Sequence, residues 1–222
     1  YKVSADLYLS NCFAVMLHAP GAEGAEYFGP TRYGGIVSTW DNKWMAEWPD
    51  ADLRKNFNIY LADRDGTPTI YNKKFSSLDC NSERCGNDAP IYRYADVLLY
   101  YAEAECFANG SPNAAALEAL NMVHRRAYGK KSTVADSDAE YKLSDFADKD
   151  AFLAAVLKER CYEFCYEAKR WNDLKRVGKL EEYVKEAWGL DVKPAGKLWP
   201  IPNDEMLYNK ALDPSADQNP GY

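Results

Sequence analysis

The sequence predicts a mainly α-helical fold with paired helices, long loops and a small β-hairpin. Three observations predict it. Two consecutive stretches, "PIYRYADVLLYYAEAECFANG" and "SPNAAALEALNMVHRRAYG", carry helix start and stop signals. A third, from about Asp148 to Val177, repeats apolar residues at helical spacing. One segment, "NFNIYLADRDGTPTIYNKKF", reads as two short strands joined around Asp65-Gly66, a hairpin near 56–74.

The elements follow in order. "ADLYLSNCFAVMLHAP" is apolar and periodic, a helix or strand ending at Pro20. "GAEGAEYFGPTRYGG" is a loop, because Gly and Pro break the periodicity. "IVSTWDNKWMAEW" forms a short helix with Trp40, Trp44 and Trp48 on one stripe. The first helix of the pair has Pro90 ahead of it and Gly110 as its stop. It is apolar in nearly every direction, so burial on several sides is expected. In the second, Ser111 is the expected N-cap, Pro112 the first helical position and Gly129 the stop. A two-residue link makes the two helices antiparallel. Their combined length is that of a tetratricopeptide-type (TPR) repeat, roughly 34 residues. Residues 130–146 form a polar loop. The long helix from about 148 to 177 comes next, then a short one to Trp188, then an extended Pro-rich tail with one helical turn after Asn203. Two regions result: a loop-rich part with the hairpin over 1–88, and a helical part with its tail over 89–222.

Composition excludes several functions. A net charge of −7 argues against a nucleic-acid partner, which would need a basic surface. No run of about 18 apolar residues is present to span a membrane as a helix. The chain opens on Tyr1, not Met, and is expected to be a processed or trimmed product. Six cysteines permit disulfides in an oxidising compartment, and Cys80 and Cys85 in "LDCNSERCG" are placed to close a small ring. Zinc-type CxxC spacing is absent and there are two His, so neither a metal nor a cofactor is expected. Asp63-Arg64-Asp65-Gly66 lacks the later Glu of a Ca²⁺ loop and reads as a hairpin turn. Tyr (17) and Trp (6) are frequent enough to serve both a core and a binding surface.

The densest chemistry lies in "KERCYEFCYEAKRWNDLKRVG". On a helical wheel with Glu159 at zero, the apolar face centres near 100°. Arg160 falls at that centre, with Glu163 at about 40° and Glu167 at about 80°, while Cys161 and Cys165 fall on the far side. A di-metal bundle would need Glu-x-x-His, but Tyr166 and Arg170 stand where the His would be. A helical glycoside hydrolase would use Glu163 and Glu167 as paired carboxylates across a cleft, yet both point into the packing face. The remaining reading is a buried charge network. Arg160 neutralises Glu163 and Glu167, joined by Arg93 or Arg125, since buried charges persist when paired.

Four blocks carry a resemblance: "PIYRYADVLLYYAEAE", "ALEALNMVHRRAYG", "LKERCYEFCYEAKRWNDLKRVGKL" and "LWPIPNDEMLYNKALDPSADQNPGY". In this order they resemble the C-terminal half of the SusD/RagB family over roughly 90–222. "RYGG" and "DADLRKNF" resemble its more variable upstream region. The resemblance implies a SusD-like helical fold with TPR-like helix pairs. It implies a non-catalytic, lipid-anchored outer-membrane protein of Bacteroidetes that binds a glycan, or a peptide in some members. It implies delivery of that ligand to a SusC-like, TonB-dependent transporter. It also implies that the N-terminal half of the family fold is absent from this chain. Family ligand sites are built from loop aromatics, which here implies Tyr27, Tyr33, Trp40 and Trp44 as sugar platforms; the tryptophans equally suit a packing stripe. A TPR-type interaction scaffold and the Glu163/Glu167 hydrolase are the alternatives.

Overall fold

A computed structural model describes residues 26–27, 43–64, 66–78, 88, 90–213 and 215–222. Two compact units follow one another, residues 1–170 and 171–222. The chain is mainly helical, with one two-stranded antiparallel sheet among the described residues.

In the first unit, α1 is Lys43–Ala46 and α2 is Leu53–Asn58. Asp52 caps α2, accepting from the Arg54 N–H at 3.0 Å. The expected first strand therefore begins later: Asn56–Asn58 are helical. β1 (Ile59–Arg64) then pairs with β2 (Thr67–Asn72), from Ile59 opposite Asn72 to Arg64 opposite Thr67. Gly66 takes φ 82° at the turn, and its N–H donates to Asp63 Oδ1 at 2.9 Å. A left-handed turn residue of this kind is what a tight hairpin demands.

The helix pair is α3 (Tyr94–Asn109) and α4 (Ala114–Ala127). The connection differs from expectation. Gly110 ends α3 at φ 72°, and Asn113, not Ser111, caps α4 by accepting from the Ala116 N–H at 2.9 Å. Pro112 thus precedes the cap, and the link is four residues long. An Asn two residues past a Ser competes for the same role, and the Asn side chain wins here because its backbone is extended.

The long helix is also interrupted. α5 runs Lys149–Glu163, capped by Asp148 Oδ1 on two N–H groups. The chain then turns through Phe164–Ala168, and α6 starts at Arg170 and ends at Arg176. Tyr166 (φ 62°) and Ala168 (φ 56°) are left-handed. Neither is a residue type that announces such a turn, so no Gly or Pro marks the break in the sequence.

Two apolar clusters explain the helices' breadth. Ala95, Leu99, Ala102 and Cys106 of α3 meet Ala116, Ala119, Leu120 and Val123 of α4, and Phe152 and Val156 of α5. Alanines along both α3 and α4 let the backbones approach closely. On its other flank α5 contributes Tyr162 to a second cluster with Met45, Trp48, Ile59 and Ile70. Trp48 and Tyr162 stack with centroids 4.7 Å apart. Cys161 and Cys165 are half-buried against this second cluster, which corrects the view that they point away from packing. Burial pushes the Cys165 thiol up to about 12. α3 is covered on one side: Tyr94, Val97, Tyr101 and Phe107 remain exposed.

In the second unit, α7 (Leu180–Trp188) buries Leu180, Tyr183 and Ala187 at helical spacing and ends on Gly189 at φ 69°. α8 (Asn203–Tyr208) is the expected turn after the Pro-rich segment. The tail folds back on that segment, with Gln218 bonding both Ile201 N–H (2.8 Å) and Ile201 C=O (3.1 Å).

Candidate functional site

The charged residues of α5 sit in a network that draws on five segments. Arg54, at the start of α2, lies 2.6 Å from Glu159 Oε1 and 3.3 Å from Glu163 Oε2. Its other edge is held by Asp52 at 2.6 Å. Glu159 Oε2 is 3.0 Å from His124 Nδ1 on α4. Arg93, the N-cap of α3, reaches Glu163 Oε1 (2.8 Å) and both carboxylate oxygens of Glu167 (2.8 and 3.1 Å). Arg126 of α4 also bonds Glu163, and Lys74, after β2, lies 2.5 Å from Glu167.

Sequence reasoning placed Arg93, Arg160, Glu163 and Glu167 in one network. The structure brings Arg93, Glu163 and Glu167 into direct contact. Arg160 instead pairs with Asp96 of α3 at 3.4 Å, its guanidinium 4.7 Å from the Phe164 ring and 4.2 Å from that of Tyr100. The wheel misled here because Glu167 lies beyond the end of α5; the left-handed turn, not helical spacing, sets it beside Glu163. Arg125, the alternative partner, is buried toward Glu118 (2.5 Å) and Glu140 (3.3 Å), and its neighbour Arg126 reaches Glu163. The roles of Arg54, Lys74 and Glu159 were missed. A cation in α2 or after a hairpin has no local spacing that ties it to a helix about a hundred residues on.

Electrostatics define what this centre can do. Burial pushes the Glu163 carboxyl up, but Arg126, Arg54 and Arg93 outweigh it and hold the group below its ordinary value. Burial likewise raises the Glu159 carboxyl, but the Arg54 guanidinium and the hydrogen bond with His124 outweigh it and hold the group below its ordinary value. A general acid needs the reverse, a carboxyl raised toward neutral pH. Glu163 is therefore a fixed anion between guanidiniums, suited to holding α2, α3, α4 and α5 together. A cavity of about 300 Å³ opens beside it, with Phe57, Lys74, Arg93 and Arg126 in its wall. Among the described residues no group of three His, Cys, Asp or Glu is arranged to hold a metal ion, and no helix is long and apolar enough to cross a membrane.

The aromatic candidates separate. The Tyr27 ring lies 4.5 Å from Tyr60 on β1, and Tyr60 lies 5.7 Å from Tyr71 on β2. Lys73 Nζ stands 5.3 Å from the Tyr27 ring. Tyr27 thus extends a tyrosine row along the hairpin. Trp44 is half-buried, with the Arg170 guanidinium 5.2 Å from its ring and its carbonyl accepting from Tyr162 Oη at 3.4 Å. Trp48 is core. Tyr33, Trp40, Cys80 and Cys85 lie outside the described residues.

A helix pair and a third helix packed around a buried ion network, beside a small hairpin, make a mainly helical fold. The SusD family model matches residues 50–222, and the chain belongs to the SusD family. It is 30% identical to SusD-like protein P25 of Formosa agariphila over 96% of its own length and 39% of the relative's. A SusD superfamily protein from Parabacteroides distasonis superposes over the whole chain and 49% of its own, with a TM-score of 0.68 at 25% identity. NanU of B. fragilis is 28% identical over 96% of this chain and 46% of its own, with a TM-score of 0.61. Surface glycan-binding protein A from Bacteroides thetaiotaomicron, in complex with laminarihexaose, shares the fold with a TM-score of 0.64 at 24% identity, over 93% of this chain and 46% of its own. The chain thus spans less than half the length of P25 and just under half of these solved structures.

Proposed function

We propose that this chain is part of a non-catalytic, cell-surface glycan-binding protein that passes oligosaccharide to a TonB-dependent outer-membrane transporter. The full-length protein is lipid-anchored at the outer membrane in this reading. Family membership over 50–222 is the observation that carries it. A protein of the same fold is known with laminarihexaose bound. Residues 1–88 supply the ligand loops, with Tyr27, Tyr33, Trp40 and Trp44 as the platforms, and 89–222 supply the frame. A pyranose ring offers a face of C–H groups that stacks on the electron-rich face of an aromatic ring, for the same reason that cations do.

Native affinity electrophoresis through gels containing laminarin, starch or xylan tests this. Retardation by at least one polysaccharide, with no sugar released from it, is the expected result. Release of oligosaccharide by the wild type but not by Glu163→Gln would establish the hydrolase reading instead.

A further inference from the structure

The second unit holds an aromatic cleft that the loop aromatics do not include. Trp171, Leu198, Trp199 and Tyr222 line it, with Ala195 and Gly196 as its floor, and its volume is about 310 Å³. That lies at the small end of ligand clefts, which run from roughly 300 to 1,000 Å³. Trp199 is 84% exposed within this chain. Neither Trp171 nor Trp199 has a hydrogen-bond partner for its indole N–H among the described residues.

The segment presenting Trp199 is tied to the C-terminal tail by hydrogen bonds. Asn219 Nδ2 donates to the Trp199 carbonyl at 2.7 Å, and Gln218 clamps Ile201 on both sides. The Tyr222 hydroxyl sits between the carbonyls of Ala195 (2.7 Å) and Leu198 (3.2 Å). Gly221, at φ 101°, passes so close that a Cβ there would stand 2.7 Å from Ala195 N. A backbone tied down in this way spares the cost of ordering the segment and leaves only the rotamer freedom of the ring to be lost on binding.

We propose that this cleft is a further sugar subsite, taking one or two pyranose rings of an oligosaccharide against Trp199 and Trp171. The proposal rests on the glycan-binding reading above. A pyranose has the matching chemistry: a C–H face for the indoles, and hydroxyl oxygens around its edge for the indole N–H donors, which have no partner among the described residues. The Tyr222 oxygen, its proton directed at a carbonyl, keeps lone pairs to accept from a sugar hydroxyl.

The test uses wild type, Trp199→Ala and Trp199→Phe in the same affinity gels, with circular-dichroism melting to confirm that each folds. The expected result is a fivefold or greater weakening in Trp199→Ala and substantial recovery in Trp199→Phe. Wild-type retardation that persists equally in Trp199→Ala overturns the cleft and leaves the glycan reading standing. Absence of retardation by every polysaccharide overturns both. Self-association of the wild type in gel filtration, abolished by Trp199→Ala without change in retardation, would make the cleft a protein interface and overturn the proposal.

Discussion

Arg93 ties the start of α3 to the end of α5 through Glu163: its Nη1 is 2.8 Å from the Glu163 carboxylate, and its Nη2 donates to the Glu163 carbonyl at 3.1 Å. The carbonyl is one that a helix end leaves without an intrahelical partner. One guanidinium therefore neutralises a side chain and satisfies a helix terminus at once, and with its remaining donors it holds Glu167. Such planar, forked donation is beyond lysine, which offers a single point charge.

The network makes Glu163 the most sensitive single position. Glu163→Gln keeps the shape but removes the anion shared by Arg54, Arg93 and Arg126. Buried ion pairs broken on one side cost about 3–5 kcal/mol. Urea unfolding should show a loss of unfolding free energy of that size and a correspondingly lower midpoint, with binding to polysaccharide retained wherever the variant is folded. A midpoint within error of wild type would deny the network its structural role.

Acid stability follows from the same carboxylates. Glu159 and Glu163 titrate below their ordinary value of 4.5 in the folded protein. Depressed carboxyls contribute stability that is fully present above the unfolded pKa and is lost as pH falls through the folded one. Thermal midpoints should therefore hold from neutral pH down to about 5 and drop steeply below about 4.5. In Glu163→Gln the acid limb should be shallower. A wild-type profile that stays flat to pH 3 would contradict the depression.

The connection between α3 and α4 offers a contrast of two neighbours. Asn113→Ala deletes the side chain that accepts from Ala116 N–H and should cost about 1 kcal/mol. Ser111→Ala removes an exposed side chain ahead of the cap and should change stability by less than about 0.5 kcal/mol. Equal effects in chemical denaturation would return the cap to Ser111.

The hairpin aromatics make a separate prediction for binding. Tyr27→Ala removes the outermost ring of the row built on Tyr60. It should weaken polysaccharide retention by about 1 kcal/mol, roughly fivefold, with little change in melting temperature. Trp44→Ala should lower both, because its ring also carries the Arg170 guanidinium and its surroundings are half-buried. Unchanged retention in both variants would move the ligand away from these two aromatics.

Legibility divided along the length scale of the interactions. The hairpin turn at Gly66, the stop at Gly110 and a short helix ending at Trp188 could all be read in advance. The break after Glu163 could not, because Tyr166 and Ala168 reach left-handed conformations that their own preferences oppose. Arg160 could be placed in the packing face by periodicity, while its partner Asp96 lies sixty-four residues earlier on another helix.

By itself, the sequence determined the helical class, the antiparallel helix pair, the hairpin and the family. Those depend on caps, turns and spacings within a few residues, where backbone sterics dominate. Tertiary structure alone decided which cation meets which carboxylate, that Cys161 and Cys165 back onto a second cluster, and that Trp199 is exposed within this chain. Those outcomes depend on which distant segments exclude water from one another, and no local spacing encodes that. Glu163 shows both: its place on a packed helix face follows from periodicity, and its three guanidiniums arrive from α2, the cap of α3 and α4.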